Sequence, residues 1–107
     1  MTTHVEYMLV LQWPSCGTTD ELDLLVSIEE EIRENLGDLG NVDGHDIGSG
    51  EMNIFIFTED PLKTFQKVVR IGAVSRHLSN LKAGYRKVGE DDFVPLCPEG
   101  LDYFSVV

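Results

Sequence analysis

One ten-residue segment holds the only cluster of side chains in this chain that looks chemical: Val42-Asp43-Gly44-His45-Asp46-Ile47-Gly48-Ser49-Gly50-Glu51. A histidine flanked by Asp43, Asp46 and Glu51 has the ingredients of a general base or a cation site, because imidazole titrates near neutrality and carboxylates can orient it or share a metal. The spacing works against both. No second histidine stands nearby, the HExxH register is absent, and in a regular strand Asp43 and His45 share one face while Asp46 takes the other. Glycines 44, 48 and 50 form neither GxGxxG nor a P-loop, and the surrounding carboxylates oppose phosphate. The segment therefore reads as an acidic hairpin whose glycines permit positive φ. Asp43, His45, Asp46 and Glu51 are expected to offer a binding surface, with no catalytic residue, metal or cofactor. The alternative is a small ligand-binding or enzymatic domain that uses the 43–51 loop.

Two other places carry side chains of chemical interest. Ser15-Cys16-Gly17 stands just before a helix N-terminus, which can lower a thiol pKa, but Asp20, Glu21 and Asp23 would repel the thiolate. Cys16 and Cys97 are separated too widely for a zinc knuckle or a redox pair and are expected to be reduced thiols. His77 lies in a basic stretch and reads as a surface or interface side chain.

These residues must be positioned by a small set of elements. Residues 4 to 13 read as a central strand: Val5, Tyr7, Leu9, Leu11 and Trp13 point one way, Glu6, Met8, Val10 and Gln12 the other. Thr18 and Glu21 match a capping box and open a helix, and Gly37 is a natural residue to end it. Its stripe is Leu22, Leu25, Ile28, Glu29, Ile32 and Leu36, with Glu29, Glu30, Glu31 and Glu34 toward solvent. Residues 51 to 58 are the clearest strand, joined through Gly48-Ser49-Gly50 to one near 41 to 47. Asp60 followed by Pro61 starts a second helix, with Leu62, Phe65, Val68, Val69 and Gly72 inward, a break near Gly72 and a helical piece over 73 to 81. Residues 83 to 88 and 92 to 97 make a last hairpin, and the tail LDYFSVV is apolar enough to dock. The order β-α-β-β-α-β with an extra C-terminal strand predicts one α+β domain over residues 1 to 107. The expected fold is ferredoxin-like, an antiparallel sheet with both helices on one face. Tyr7, Trp13, Phe55 and Phe57 are expected to line the open face, under the tail or against a second copy in a homodimer.

Charge is sorted in blocks. Residues 18 to 60 carry thirteen of the nineteen acids and the lone base Arg33, whereas residues 61 to 88 carry seven of the eight bases and no acid. The formal net charge is −11, which argues against nucleic acid and anionic membrane surfaces as partners. The acidic and basic helices are expected to complement each other across their seam. No run reaches the ~18 apolar residues of a membrane span, and the N-terminus lacks the basic start of a secretory signal, so a cytoplasmic location is expected.

The stretch VDGHDIGSGEMNIFIFTEDP, followed by AGYRKVGEDDF, resembles a group of uncharacterised small bacterial α+β proteins. Acidic proteins of this general look include immunity proteins that neutralise toxins. That resemblance implies a non-enzymatic protein whose acidic surface, with Glu30, Glu34 and the 43–51 segment, recognises a basic protein partner.

Overall fold

The computed structural model describes residues 5–106; His4, expected to open the first strand, and Val107 at the end of the tail lie outside the described residues. The elements are β1 (Tyr7–Pro14), α1 (Thr19–Leu36), a 3-10 turn (Gly37–Leu39), β2 (Asn41–Gly48), β3 (Glu51–Thr58), α2 (Pro61–Val68), α3 (Gly72–Ser75), β4 (Lys82–Lys87) and β5 (Val94–Cys97). The strands form a five-stranded sheet in the order β2-β3-β1-β4-β5, antiparallel throughout. This is an α+β architecture, with β1 and β3 among the interior strands.

Local chemistry sets the boundaries. Thr18 Oγ1 accepts from the Glu21 amide at 3.2 Å and Glu21 Oε1 accepts from the Thr18 amide at 3.1 Å, the reciprocal capping box. Glu21 Oε1 also accepts from the Cys16 amide at 2.9 Å and from the Ser15 hydroxyl at 3.3 Å. One carboxylate thus organises the turn leading from β1 into α1. The helix ends at Gly37, whose φ of 61° lies in the left-handed region that glycine tolerates. Ser49 and Gly50 both have positive φ, 55° and 82°, which is the requirement of a two-residue type I′ hairpin between β2 and β3. Asp60 caps α2 by accepting from the Lys63 amide at 3.0 Å, with Pro61 in the first turn.

All three helices cover one sheet face. Leu25, Ile28, Ile32 and Leu36 of α1 join Val68, Ile71 and Val74 from the α2–α3 region over Leu9, Leu11, Trp13, Ile54 and Ile56. Truncating such a buried Leu or Ile costs about 2–5 kcal/mol, against about 0–1 kcal/mol for an exposed ion pair. The seam is therefore held by apolar packing. Among the described residues no ion pair joins α1 to α2, so the expected complementarity of the two helices is not how they meet. Glu31, expected in solvent, is half-buried and accepts from the Ala73 amide at 3.3 Å. The expected helical piece over 73–81 is only Gly72–Ser75; Leu78 is exposed, and the turn-forming Ser79-Asn80 pair leads straight into β4. Leu22 and Leu62, expected inward, are exposed because each falls at the margin of its helix's apolar arc.

The opposite face is covered by the chain's last described residues. Gly84 of β4 leaves the space that the Phe104 ring fills: a Cβ built there would meet Phe104 side-chain atoms at 2.6–3.1 Å. Phe104 stacks edge-on with Phe93 at 5.2 Å between centroids, and the Arg86 guanidinium lies 5.9 Å from the Phe93 ring centre. Gln12 Nε2 bridges the Asn53 side chain and the Ser105 carbonyl, each at 3.0 Å. Tyr7 and Trp13 were expected on this face, but they share the helix-side parity of Leu9 and Leu11. Trp13 is in the core, and its Nε1 donates to the His77 carbonyl at 2.8 Å.

Two expectations follow. Gly84→Ala should release the tail, seen as faster amide exchange over 98–106, and the penalty should largely vanish in a Phe104→Ala background; equal penalties in both would mean that Phe104 does not fill this space. The Glu21 carboxyl is held below its ordinary value chiefly by the Thr18 amide, opposed by partial desolvation and reinforced by the Cys16 amide and the Thr18 and Ser15 hydroxyls. Its contribution to order at the start of α1 is thus complete above the ordinary carboxylate pKa and is lost as pH falls through the lower folded-state value. Protection of the Cys16 and Thr18 amides relative to their intrinsic exchange should fall with pH across that acidic range in wild type and change less in Glu21→Gln.

Candidate functional site

The 43–51 segment does not converge on a point. The β2–β3 ladder pairs Val42 with Ile56 and then Gly44 with Phe55, so Asp43 is the extra residue of a β-bulge. Past the bulge the parity of β2 inverts. His45 stands opposite Ile54 on the helix-covered face, the same face as Val42, while Asp46 stands opposite Asn53 on the other face. The expectation that Asp43 and His45 share a strand face fails for this reason. Glu51 lies across from Pro14 at the hairpin end. Asp43 and Asp46 are exposed and Glu51 is half-buried. Among the described residues no group of three or more His, Cys, Asp or Glu side chains is disposed to hold a metal ion.

What His45 meets is a residue that the sequence pattern placed ambiguously. Glu29 of α1 is buried, with its side chain 8% exposed, and its Oε2 lies 3.0 Å from His45 Nδ1. An ionised carboxylate only accepts, so Nδ1 carries the hydrogen and Nε2 is the ring's remaining polar atom, on a side chain 33% exposed. Arg33, one turn along α1, approaches Glu29 Oε1 at 3.6 Å. The carboxylate therefore has one partner on β2 and one on its own helix. Glu29 lies among Leu25, Ile28, Ile32 and Leu36 on the buried arc. An acid at such a position requires a partner from another element, and that was the available signal.

Comparison with protein-family models, curated proteins and solved structures finds no match. The chemistry of this region rests on its own geometry.

A carboxylate-oriented imidazole is two parts of a hydrolytic constellation, but among the described residues no hydroxyl or thiol is hydrogen-bonded to the ring. Cys16 is exposed on the turn before α1. Cys97, half-buried at the end of β5, donates its thiol hydrogen to the Leu81 carbonyl at 3.6 Å, and burial pushes its pKa up. The Glu29–His45 bond joins α1 to the edge strand β2. Glu30 and Glu34 point outward from α1 and are exposed.

Exposed acids stand on two neighbouring elements, although Asp46 projects from the sheet face away from α1. α1 lies against β2, and Asp23, Glu30 and Glu34 on the outer side of the helix are exposed, as are Asp43 and Asp46 on the strand. Arg33 is the cation among them, and it is engaged with Glu29.

The two classes of residue should separate in stability measurements. His45→Ala removes the closest partner of a buried carboxylate and is expected to cost roughly 1–3 kcal/mol in urea unfolding. Asp43→Asn, Asp46→Asn and Glu51→Gln should each stay within about 0.5 kcal/mol. Equal effects at His45 and Asp46 would remove the fastening role of the Glu29–His45 bond.

Proposed function

We propose that this chain is a non-enzymatic interaction protein whose acidic surface binds a basic protein partner, in the manner of an immunity protein neutralising a cationic toxin. The carrying observation is the set of exposed acids on the outer side of α1 and along the edge strand β2, two elements fastened by the half-buried Glu29–His45 bond. Fixing one sign of charge on two packed elements concentrates the field outside them, which accelerates encounter and selects against acidic partners. The net charge of −11 acts in the same direction at longer range.

The fold proposed for this module is the ferredoxin-like split βαβ arrangement with β5 appended. The order β2-β3-β1-β4 supports it, with α1 following β1 and the α2–α3 region following β3. A second copy would have to use the strip of the open face left beside the tail, where Phe55 and Phe57 are half-buried. The exposed acids of α1, Asp23, Glu30 and Glu34, lie on the opposite, helical side. A heterologous basic partner is therefore the better match to the charge.

Charge reversal tests the proposal. Basic proteins retained by the wild-type chain from the lysate of its own cells should be lost with Glu30→Lys/Glu34→Lys. For the retained protein, association should slow by about 10-fold in the double variant near physiological salt, with little change in the melting temperature and with convergence of the two rates as salt rises. An association rate indifferent to both charge reversal and salt would place recognition elsewhere.

A further inference from the structure

The basic block of the sequence is not consumed by the acidic one. Of its cations, Arg86 lies over Phe93 and donates to the Glu90 carbonyl at 3.2 Å, and Lys87 pairs with Glu90 at 3.8 Å. Lys63, Lys67 and Arg70 form no ion pair among the described residues. All three line one open groove of about 750 Å³ between α1 and the α2–α3 region. Lys63 and Lys67 stand one turn apart on α2, about 6 Å along its axis, and Arg70 follows in the turn that leads to α3.

The rest of the lining makes the groove usable. Glu31 is its carboxylate, and one oxygen of that group is committed to the Ala73 amide. Asn35 spends one amide hydrogen on the Glu31 carbonyl at 2.7 Å, which leaves the rest of its side-chain amide and the Gln66 amide as neutral polar groups. Leu39 and Ile71 add an apolar wall. Beyond Lys63 the neighbouring hollow is lined by Glu6, Asp38, Glu59 and Asp60, so the positive field is strongest toward Lys67 and Arg70.

We propose that this groove binds a small molecule carrying a short chain of phosphates. Several negative charges along one chain match cations set in a row, and the guanidinium of Arg70 can take phosphate oxygens in a bidentate fashion. Amides and an apolar wall beside the cations suit the uncharged remainder of such a ligand. The distant acids of a −11 chain weaken the attraction only over about a Debye length, roughly 8 Å at physiological ionic strength. This site is separate from the acidic surface, and its fate does not depend on that of the protein partner.

The test is an amide chemical-shift titration of the full chain with sodium tripolyphosphate at physiological ionic strength. Saturable shifts centred on residues 63–72 are expected. Lys63→Gln/Lys67→Gln/Arg70→Gln should bind at least about 10-fold more weakly, whereas Lys82→Gln/Lys87→Gln, which removes exposed cations from β4, should bind like wild type. The side chains replaced are at the surface, so folding should survive; were the triple variant to unfold, the single charge reversal Lys67→Glu reads the same site with the same expected loss. Inorganic monophosphate at equal total charge should shift the same amides far less. Absence of saturation, shifts spread equally to Lys82 and Lys87, full binding by the triple variant, or an equal response to monophosphate would each overturn the proposal.

Discussion

Both faces of β1 have to be kept from water, and the remainder of the structure is arranged around that requirement. Leu9, Val10 and Leu11 are consecutive in the strand and have no solvent exposure. Consecutive strand residues point to opposite sides, so no single layer of helices can cover them. α1 and the α2–α3 region cover Leu9 and Leu11, while Val10 depends on the tail that crosses Gly84. The absence of a side chain at Gly84 is what lets Phe104 come close enough. The polar pair Gln12 and Asn53 is accommodated on that second face because the Ser105 carbonyl gives Gln12 Nε2 its other partner.

Polar groups inside the molecule follow the same rule of completed pairing. Thr58 and Thr64 are buried with their hydroxyls 2.7 Å apart, and both reach the Leu39 carbonyl, at 2.8 and 3.0 Å. That knot ties the end of β3 to the first turns of α2 and to the chain entering β2. Glu29 and His45 do the equivalent at the other margin of α1. Charge elsewhere stays at the surface, which is why the blocks seen in the sequence become separate outer regions instead of an electrostatic seam.

Features legible in the sequence were those whose cause is local. Thr18 with Glu21, Pro61 after Asp60, and Gly37 each act within a few residues, and each marks its boundary where expected. The apolar alternation of residues 4–13 and 51–58 identified two of the three interior strands for the same reason. Glu29 and the β2 bulge escaped because their cause is tertiary. Val42 and Ile47 both reach the core margin although five positions apart, which a period of two cannot satisfy; that odd spacing was the trace of a bulge at Asp43. Once the extra residue is inserted, His45 falls beneath α1, opposite the one acid of its buried arc. Phe104 was seen as part of a docking tail, but its seat on Gly84 depends on strand pairing that no local pattern announces.

The bulge has a bearing on how copies of this protein treat each other. β2 is a terminal strand of the sheet, and such a strand presents a free row of amides and carbonyls on which another chain can build. Here that row is interrupted at Asp43, and carboxylates at Asp43 and Asp46 stand along it. Strand addition by a second copy would set like charges against each other across a broken register, while the bulge twists the edge away from a flat template. The feature that turns His45 toward α1 thereby also keeps the sheet finite.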